Sequence, residues 1–329
     1  MSVCKRYVVW WQWNFHAYRD GGSTGCVYEH DTALFMDMFP EPENTYIGNF
    51  SDLPPKTGAI VVVNGARADS SYIPALQKFI KDMPWVVVFS MQDDNSILRL
   101  HELKHPNMKI WVHSPKCGGA GFEWSQNNHD YARRIPVGTT KLFRNLSPEQ
   151  RATPKTIDWL FIGRLGFSTR VEWFVALRDL VGNKFTDTGT LNERRIWTQD
   201  GCTEEWVTEE KYVNMMLAAK VVICRPASCT PETGRLYEAL EAGCVPIVAR
   251  CATGDWNQKY NWQAYWPYVF GEIPPFPIID GPRDLARGIQ EALNEYPENA
   301  NRIQIWWADY KIRLAKQLHD EVNLLCEHC

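Results

Sequence analysis

Residues 211–248 read KYVNMMLAAKVVICRPASCTPETGRLYEALEAGCVPIV, and the order of elements in this stretch decides the fold. A helix-like segment leads into VVIC, a run that is apolar throughout and closes at Cys224. A loop with Pro226 and Pro231 follows, then a second helix that stops at Gly243, and the apolar run CVPIV comes at once. Apolar residues without alternation mark a strand covered on both faces, and a strand–helix–strand series implies parallel pairing. Thr233 is expected at the N-cap or in the first turn of the second helix. A loop that feeds a helix start presents unpaired N–H groups and a partial positive charge to an anion. Arg235 adds a planar fork that matches phosphate oxygens. Glu238, one turn further on, can accept two hydrogen bonds from a ribose diol. Together they describe a nucleoside-diphosphate site, with pyrophosphate at the helix start and ribose against the carboxylate.

The same rhythm extends in both directions. Upstream, strands are expected over 6–11, 59–63, 85–89 and 109–113, with helices over 27–39, 71–82 and 96–103. Residues 138–155 (GTTKLFRNLSPEQRATPK) are polar and contain two prolines, as a connection between domains should. A second α/β series follows: strands over 157–162, 221–224 and 245–249, and helices over 169–181, 209–219, 233–242, 281–296 and 300–325. The expected architecture is α/β, with two doubly wound Rossmann-like domains facing each other across a cleft. The N-terminal, acceptor-side domain covers 1–145, a linker 146–156, and the nucleotide-sugar-binding domain 157–299. The terminal helix, 300–329, is free to pack back on the first domain.

Composition narrows the classes. The chain has 329 residues, 45% hydrophobic and 22% charged, which is a globular and not a disordered balance. A net charge of −4 excludes a uniformly basic nucleic-acid packer. No stretch approaches the ~18 apolar residues that span a bilayer, and the apolar run 7–11 is too short for a secretory signal. The ten cysteines are scattered, several inside apolar runs such as Cys224 and Cys244, so a reducing, cytoplasmic setting is expected. Cys326-x-x-Cys329 is half of a zinc-site spacing with nothing to complete it. The Gly-rich loop at 14–25 lacks Gly-x-Gly-x-x-Gly and Gly-Lys-Ser/Thr spacing, so neither a nicotinamide nor a P-loop reading is supported.

The stretch 211–248 resembles the donor-binding motif of the exostosin-like glycosyltransferases. Their pattern runs strand, Cys, Pro, loop, small hydroxyl residue, x, Arg, two residues, Glu-Ala-Leu, x, Ala-Gly-Cys-x-Pro-x-Ile. Cys224, Pro226, Thr233, Arg235, Glu238, Ala239, Leu240, Gly243, Cys244, Pro246 and Ile247 fall in place. The family's Ser-Pro before the arginine is Thr233-Gly234 here, which keeps the hydroxyl. The Glu-Ala-Leu…Gly-x-Pro core is shared more widely among two-domain (GT-B) glycosyltransferases. Their first C-terminal strand ends in a glycine followed by a basic residue near the donor phosphates; Gly163-Arg164 matches, and Arg170 opens the next helix. The resemblance implies a hexosyl- or pentosyltransferase with a nucleoside-diphosphate sugar as donor substrate, no bound cofactor, inversion, and no metal. Family members commonly carry a membrane anchor, which is not expected here, and the N-terminal half of the sequence matches no motif of the family.

Inverting transfer needs a base for the acceptor hydroxyl and cations for the leaving diphosphate. Asp20, His16, Asp93, Asp94 and His113 lie at or beyond expected strand ends. Asp93-Asp94 follows WVVVFSMQ directly and is best placed by topology, with Asp20 next. A metal-binding Asp-x-Asp is the other reading of that pair, but no strict Asp-x-Asp occurs. Residues 101–145 hold seven basic against three acidic residues, interleaved with Trp111, Phe122, Trp124 and Tyr131. Trp124, Arg133 and Arg134, with His16, are the candidate acceptor-binding residues; a solvated basic surface is the other reading. Two acceptor classes stay open. One is a carbohydrate. The other is a hydroxymethylated pyrimidine in DNA, as in phage enzymes that share the two-domain architecture, in which case the setting is the host cytoplasm and a duplex target must be flipped out. A non-catalytic module that binds a nucleotide, glycan or DNA is the alternative from another class.

Overall fold

A computed structural model of the chain describes residues 6–10, 34–35, 37–40, 44–47, 50–64, 72–91, 100–112, 132–164, 171–182, 194–204, 208–226, 230–251 and 264–327. The chain divides into two compact units, residues 1–137 with 310–329, and residues 138–309.

In the first unit six strands form one sheet: β1 (Arg6–Trp10), β2 (Asn44–Ile47), β3 (Ala59–Asn64), β4 (Val86–Met91), β5 (Met108–Val112) and β6 (Ala132–Arg134). Their order is β2-β1-β3-β4-β5-β6, and every pairing is parallel. Alternate residues of a strand point to opposite faces, yet Ile60, Val61, Val62 and Val63 are all at most 1% exposed. Both faces are therefore covered, as the apolar runs require. One face packs Val61, Val86, Val88 and Ile110 against Leu76 and Ile80 of α1 (Tyr72–Ile80). On the other, Phe35 and Phe39 meet Phe89 and Trp111, with ring centroids 4.8 and 5.7 Å apart. Leu314, Leu318 and Val322, near the chain's end, are buried too.

The second unit also has a six-stranded sheet: β7 (Ile157–Arg164), β8 (Arg194–Thr198), β9 (Gly201–Glu204), β10 (Ala219–Cys224), β11 (Val245–Ala249) and β12 (Ile278–Ile279), in the order β12-β11-β10-β7-β8-β9. β7, β10, β11 and β12 are parallel, while β8 and β9 run antiparallel at one edge. The chain moves outward from β7 through the β8–β9 hairpin, then returns to the other side of β7 for β10. The carboxyl ends of β7 and β10 thus flank a switch in strand order, the place where open α/β sheets hold ligands.

The helices of this unit are α2 (Lys141–Arg144), α3 (Pro148–Arg151), α4 (Val171–Val181), α5 (Glu209–Ala218), α6 (Gly234–Glu241), α7 (Tyr265–Phe270), α8 (Leu285–Asn294) and the start of α9 (Glu298–Glu327). Residues 146–156, read from sequence as a connection, carry α3, which opens with a capping box between Ser147 and Gln150. The architecture is α/β with two mostly parallel, doubly wound, Rossmann-like sheets. Among the described residues no helix is long and apolar enough to cross a membrane.

Candidate functional site

α6 is the element on which the candidate site is built. It starts after Thr233, whose backbone is extended and whose side chain makes no capping hydrogen bond. Thr233 therefore occupies the expected N-cap position without the expected cap. The first N–H groups of α6 get no help from that hydroxyl. The helix is held firmly at its other end. Gly243 takes a left-handed φ of 71°, and the N–H of Cys244 closes on the carbonyl of Ala239 at 2.9 Å. Arg151 donates to the Glu241 carbonyl at 2.9 Å, Lys155 to that of Ala242 at 2.7 Å, and Gln304 to that of Leu240 at 2.7 Å. Cations at a helix C-terminus oppose its negative end.

Every residue from Leu236 to Glu241 is buried, so α6 is not the amphipathic helix its EALE pattern suggests. Its two carboxylates need partners inside the protein. Glu238 accepts from Arg235 at 2.9 Å and from the hydroxyl of Tyr212 on α5, both at Oε2. The side chain of Glu238 is 3% exposed and that of Arg235 is 24% exposed. The pair meets solvent through the arginine side chain, whose guanidinium carbon lies 4.5 Å from the centre of the Tyr212 ring. An ionised carboxylate offers about four lone-pair sites, so the bonds from Tyr212 and Arg235 do not by themselves exhaust it. Glu241 instead accepts from Trp307 Nε1 at 2.8 Å, with Arg151 3.8 Å away.

Just before α6, Glu232 is 2% exposed. Its carboxylate accepts from the hydroxyls of Tyr237 and of Tyr265, the latter at 2.9 Å. Thr230 adds a bond to the Glu232 carbonyl at 3.3 Å. These contacts fix the chain that delivers Thr233 and Gly234 to the helix start. Neither Glu232 nor Tyr212 is singled out by the sequence pattern. Tyr212 lies 26 residues from Glu238, and only the fold brings them together.

Beneath the site, burial pushes the Cys224 thiol well up, with the charges of Cys244 and Glu238 adding to the shift. Cys244 is also pushed up by burial, against a smaller opposing pull from the Lys155 ammonium. Both are protonated packing groups.

Of the other predicted residues, Arg164 closes β7 in register opposite Arg194, at the carboxyl edge where β10 ends. Arg170 lies outside the described residues, as do His16, Asp20, Asp93, Asp94, His113 and Trp124. The two acceptor candidates that are described are engaged within their own unit. Arg133 donates from Nε to Glu321 at 2.5 Å and from Nη1 to Gln317 at 3.3 Å. Arg134 is 4% exposed and donates to the carbonyls of Val112 and Ile135 at 3.1 and 2.6 Å. Arg133 thereby holds the C-terminal helix and Arg134 the end of β5. Among the described residues no cluster of three His, Cys, Asp or Glu side chains has metal-ligand geometry.

The class these observations define is a two-unit α/β protein with a paired arginine and carboxylate on the helix that follows a switch-point strand. No family model matches the chain, and no curated protein is similar to it. Among solved structures it is similar to the DNA-modifying enzyme β-glucosyltransferase, whose crystal structure was determined in the presence and absence of the substrate uridine diphosphoglucose. The TM-score is 0.43 and the identity 15%, over 95% of this chain and 98% of that one.

Proposed function

We propose that the protein is a GT-B-type glycosyltransferase that moves a sugar from a nucleoside-diphosphate sugar to an acceptor hydroxyl. The observation that carries the reading is the Arg235–Glu238 pair, 2.9 Å apart on a helix with no side-chain cap at its start. Arg235 and the first N–H groups of α6 take the diphosphate. Arg164, and Arg170 beyond it, assist as charge builds on the leaving oxygen. Glu238 receives the ribose hydroxyls. An N-domain carboxylate, Asp93 or Asp94 with Asp20 next, removes the acceptor proton as C1 is attacked in line, so the anomeric centre inverts. No step calls for a metal or a bound cofactor. The acceptor is a hydroxymethylated pyrimidine in DNA or a carbohydrate.

The test is binding first and turnover second. Thermal-shift screening against nucleoside diphosphates and their sugars identifies the donor. Donor hydrolysis, with and without hydroxymethylated DNA or oligosaccharides, then reads the acceptor. A binding module would hold the ligand and hydrolyse nothing. Arg235→Ala is expected to abolish turnover and to weaken nucleoside-diphosphate binding sharply. Unchanged turnover in that variant refutes the site. Because Glu238 is buried, Glu238→Gln is the informative change there, since Ala would also leave the Tyr212 hydroxyl without its acceptor.

A further inference from the structure

Tyr212 lies in the first turn of α5, whose N-cap Thr208 accepts from the backbone N–H of Lys211 at 3.2 Å. The Tyr212 ring makes three contacts. Its hydroxyl donates to Glu238 Oε2, its face lies 4.5 Å from the Arg235 guanidinium carbon, and the buried ring of Phe143 meets it at an angle of 81° with centroids 5.6 Å apart. The hydroxyl and the ring face thus act on both members of one ion pair. Phe143 in turn limits how the ring can rotate.

We propose that Tyr212 is the positioning residue of the donor site: it sets the plane of Arg235 and the rotamer of Glu238 before any nucleotide arrives. The role rests on the reading of that pair as the donor site. A guanidinium binds phosphate through a planar fork, so its orientation matters as much as its charge. Arginine has a long, rotamer-rich side chain, and freezing it in advance removes an entropic cost of binding. The ring holds the guanidinium from one side while Glu238 fixes one nitrogen. The hydroxyl keeps the carboxylate turned toward Arg235 and away from other rotamers.

The experiment compares wild type, Tyr212→Phe, Tyr212→Leu, Arg235→Ala and the double variant Tyr212→Phe/Arg235→Ala. Binding of UDP, GDP, ADP and dTDP is measured by calorimetry, alongside thermal melting. Tyr212→Phe keeps the ring and loses one charged hydrogen bond, so nucleoside-diphosphate affinity is expected to fall about tenfold. In turnover this appears as a raised donor KM with kcat within about twofold. Tyr212→Leu also loses the ring face, and a fall of about a hundredfold is expected. The double variant binds no worse than Arg235→Ala alone, because the tyrosine acts through the arginine. A purely structural tyrosine would lower the melting temperature and leave affinity untouched. Wild-type affinity in Tyr212→Phe, while Arg235→Ala binds weakly, overturns the positioning role and spares the donor site. If wild type itself binds none of the four diphosphates, both readings fall.

Discussion

Glu232 gives the sharpest stability prediction. Its carboxylate is 2% exposed and serves as acceptor for two hydroxyls on side chains that are themselves 0% exposed, Tyr237 and Tyr265. Glu232→Ala removes that acceptor and leaves two buried phenols with no partner at that position. A hydrogen bond to a charged group contributes roughly 1.5–3 kcal/mol, so two give about 3–6 kcal/mol. Against a typical total of about 5–15 kcal/mol that is a large share. For a unit of this size it corresponds to a fall in Tm on the order of 10 °C. Tyr265→Phe deletes one of the two bonds, so about half the loss is expected. Glu232→Gln keeps an acceptor and should fall between wild type and Ala. Urea unfolding followed by tryptophan fluorescence reads all three, with the midpoint moving and the slope constant. The two changes should also couple, so that Glu232→Ala/Tyr265→Phe is less damaging than the sum of the single variants. A Glu232→Ala protein within about 0.5 kcal/mol of wild type would refute the reasoning, since that is the range of a surface substitution. Because Glu232 fixes the chain entering α6, the Gln variant should also weaken nucleoside-diphosphate binding.

Two further predictions concern the rest of the molecule. Glu321 accepts from Trp111 Nε1 at 2.8 Å and pairs with Arg133; Glu321→Ala should cost about 2–4 kcal/mol and release amide-exchange protection in residues 310–327. Unaltered protection there would mean that the apolar face of α9 alone holds the helix. For Cys224 the folded-state pKa is raised, so it adds no pH dependence below the ordinary thiol value of about 8.5. Above it the unfolded chain loses a proton that the folded protein keeps, and stability declines as pH rises. Melting temperatures between pH 7 and 10 should therefore fall less steeply in Cys224→Val, and equal slopes would count against the shift.

How much of this was legible in the sequence depends on how local the signal is. The central strands β3, β4, β10 and β11 are apolar on both faces, and such runs declare themselves without any partner being known. The edge strands do not. β2 has four residues, β6 three and β12 two, too few to show a period. The β8–β9 hairpin did leave a trace, because Asp200-Gly201 sits at its turn, with Asp200 N–H bonded to Thr198 Oγ1 at 3.2 Å. Gly201 takes a φ of 137° there, which few other residues would accept. The basic count in residues 101–145 could not show how Arg133 is paired. Arg133 and Arg134 are neighbours in sequence, but Glu321, which meets the first, lies 188 residues away, and no local count of charge can include it.

The candidate site was legible in one half only, and α6 explains why. Its sequence places two carboxylates three residues apart, Glu238 and Glu241, on a helix that the pattern reads as half-exposed. Both are buried, and each takes a cation and an aromatic donor. By composition the two are equivalent. They differ in direction. Glu241 is tied to Arg151 and Trp307 near the helix end, beside the carbonyls that Arg151 and Lys155 also hold, so its partners complete a C-terminal cap. Glu238 is tied to Arg235, in the first turn, and to Tyr212, and the side chain of Arg235 remains a quarter exposed. Arg151 is the more exposed cation, at 43% against 24% for Arg235, but only Arg235 stands in the first turn of the helix, whose start the Thr233 side chain does not cap. What separates the two carboxylates is the end of the helix each cation holds, and Arg151 and Tyr212 reach α6 only through the fold, which no six-residue motif contains.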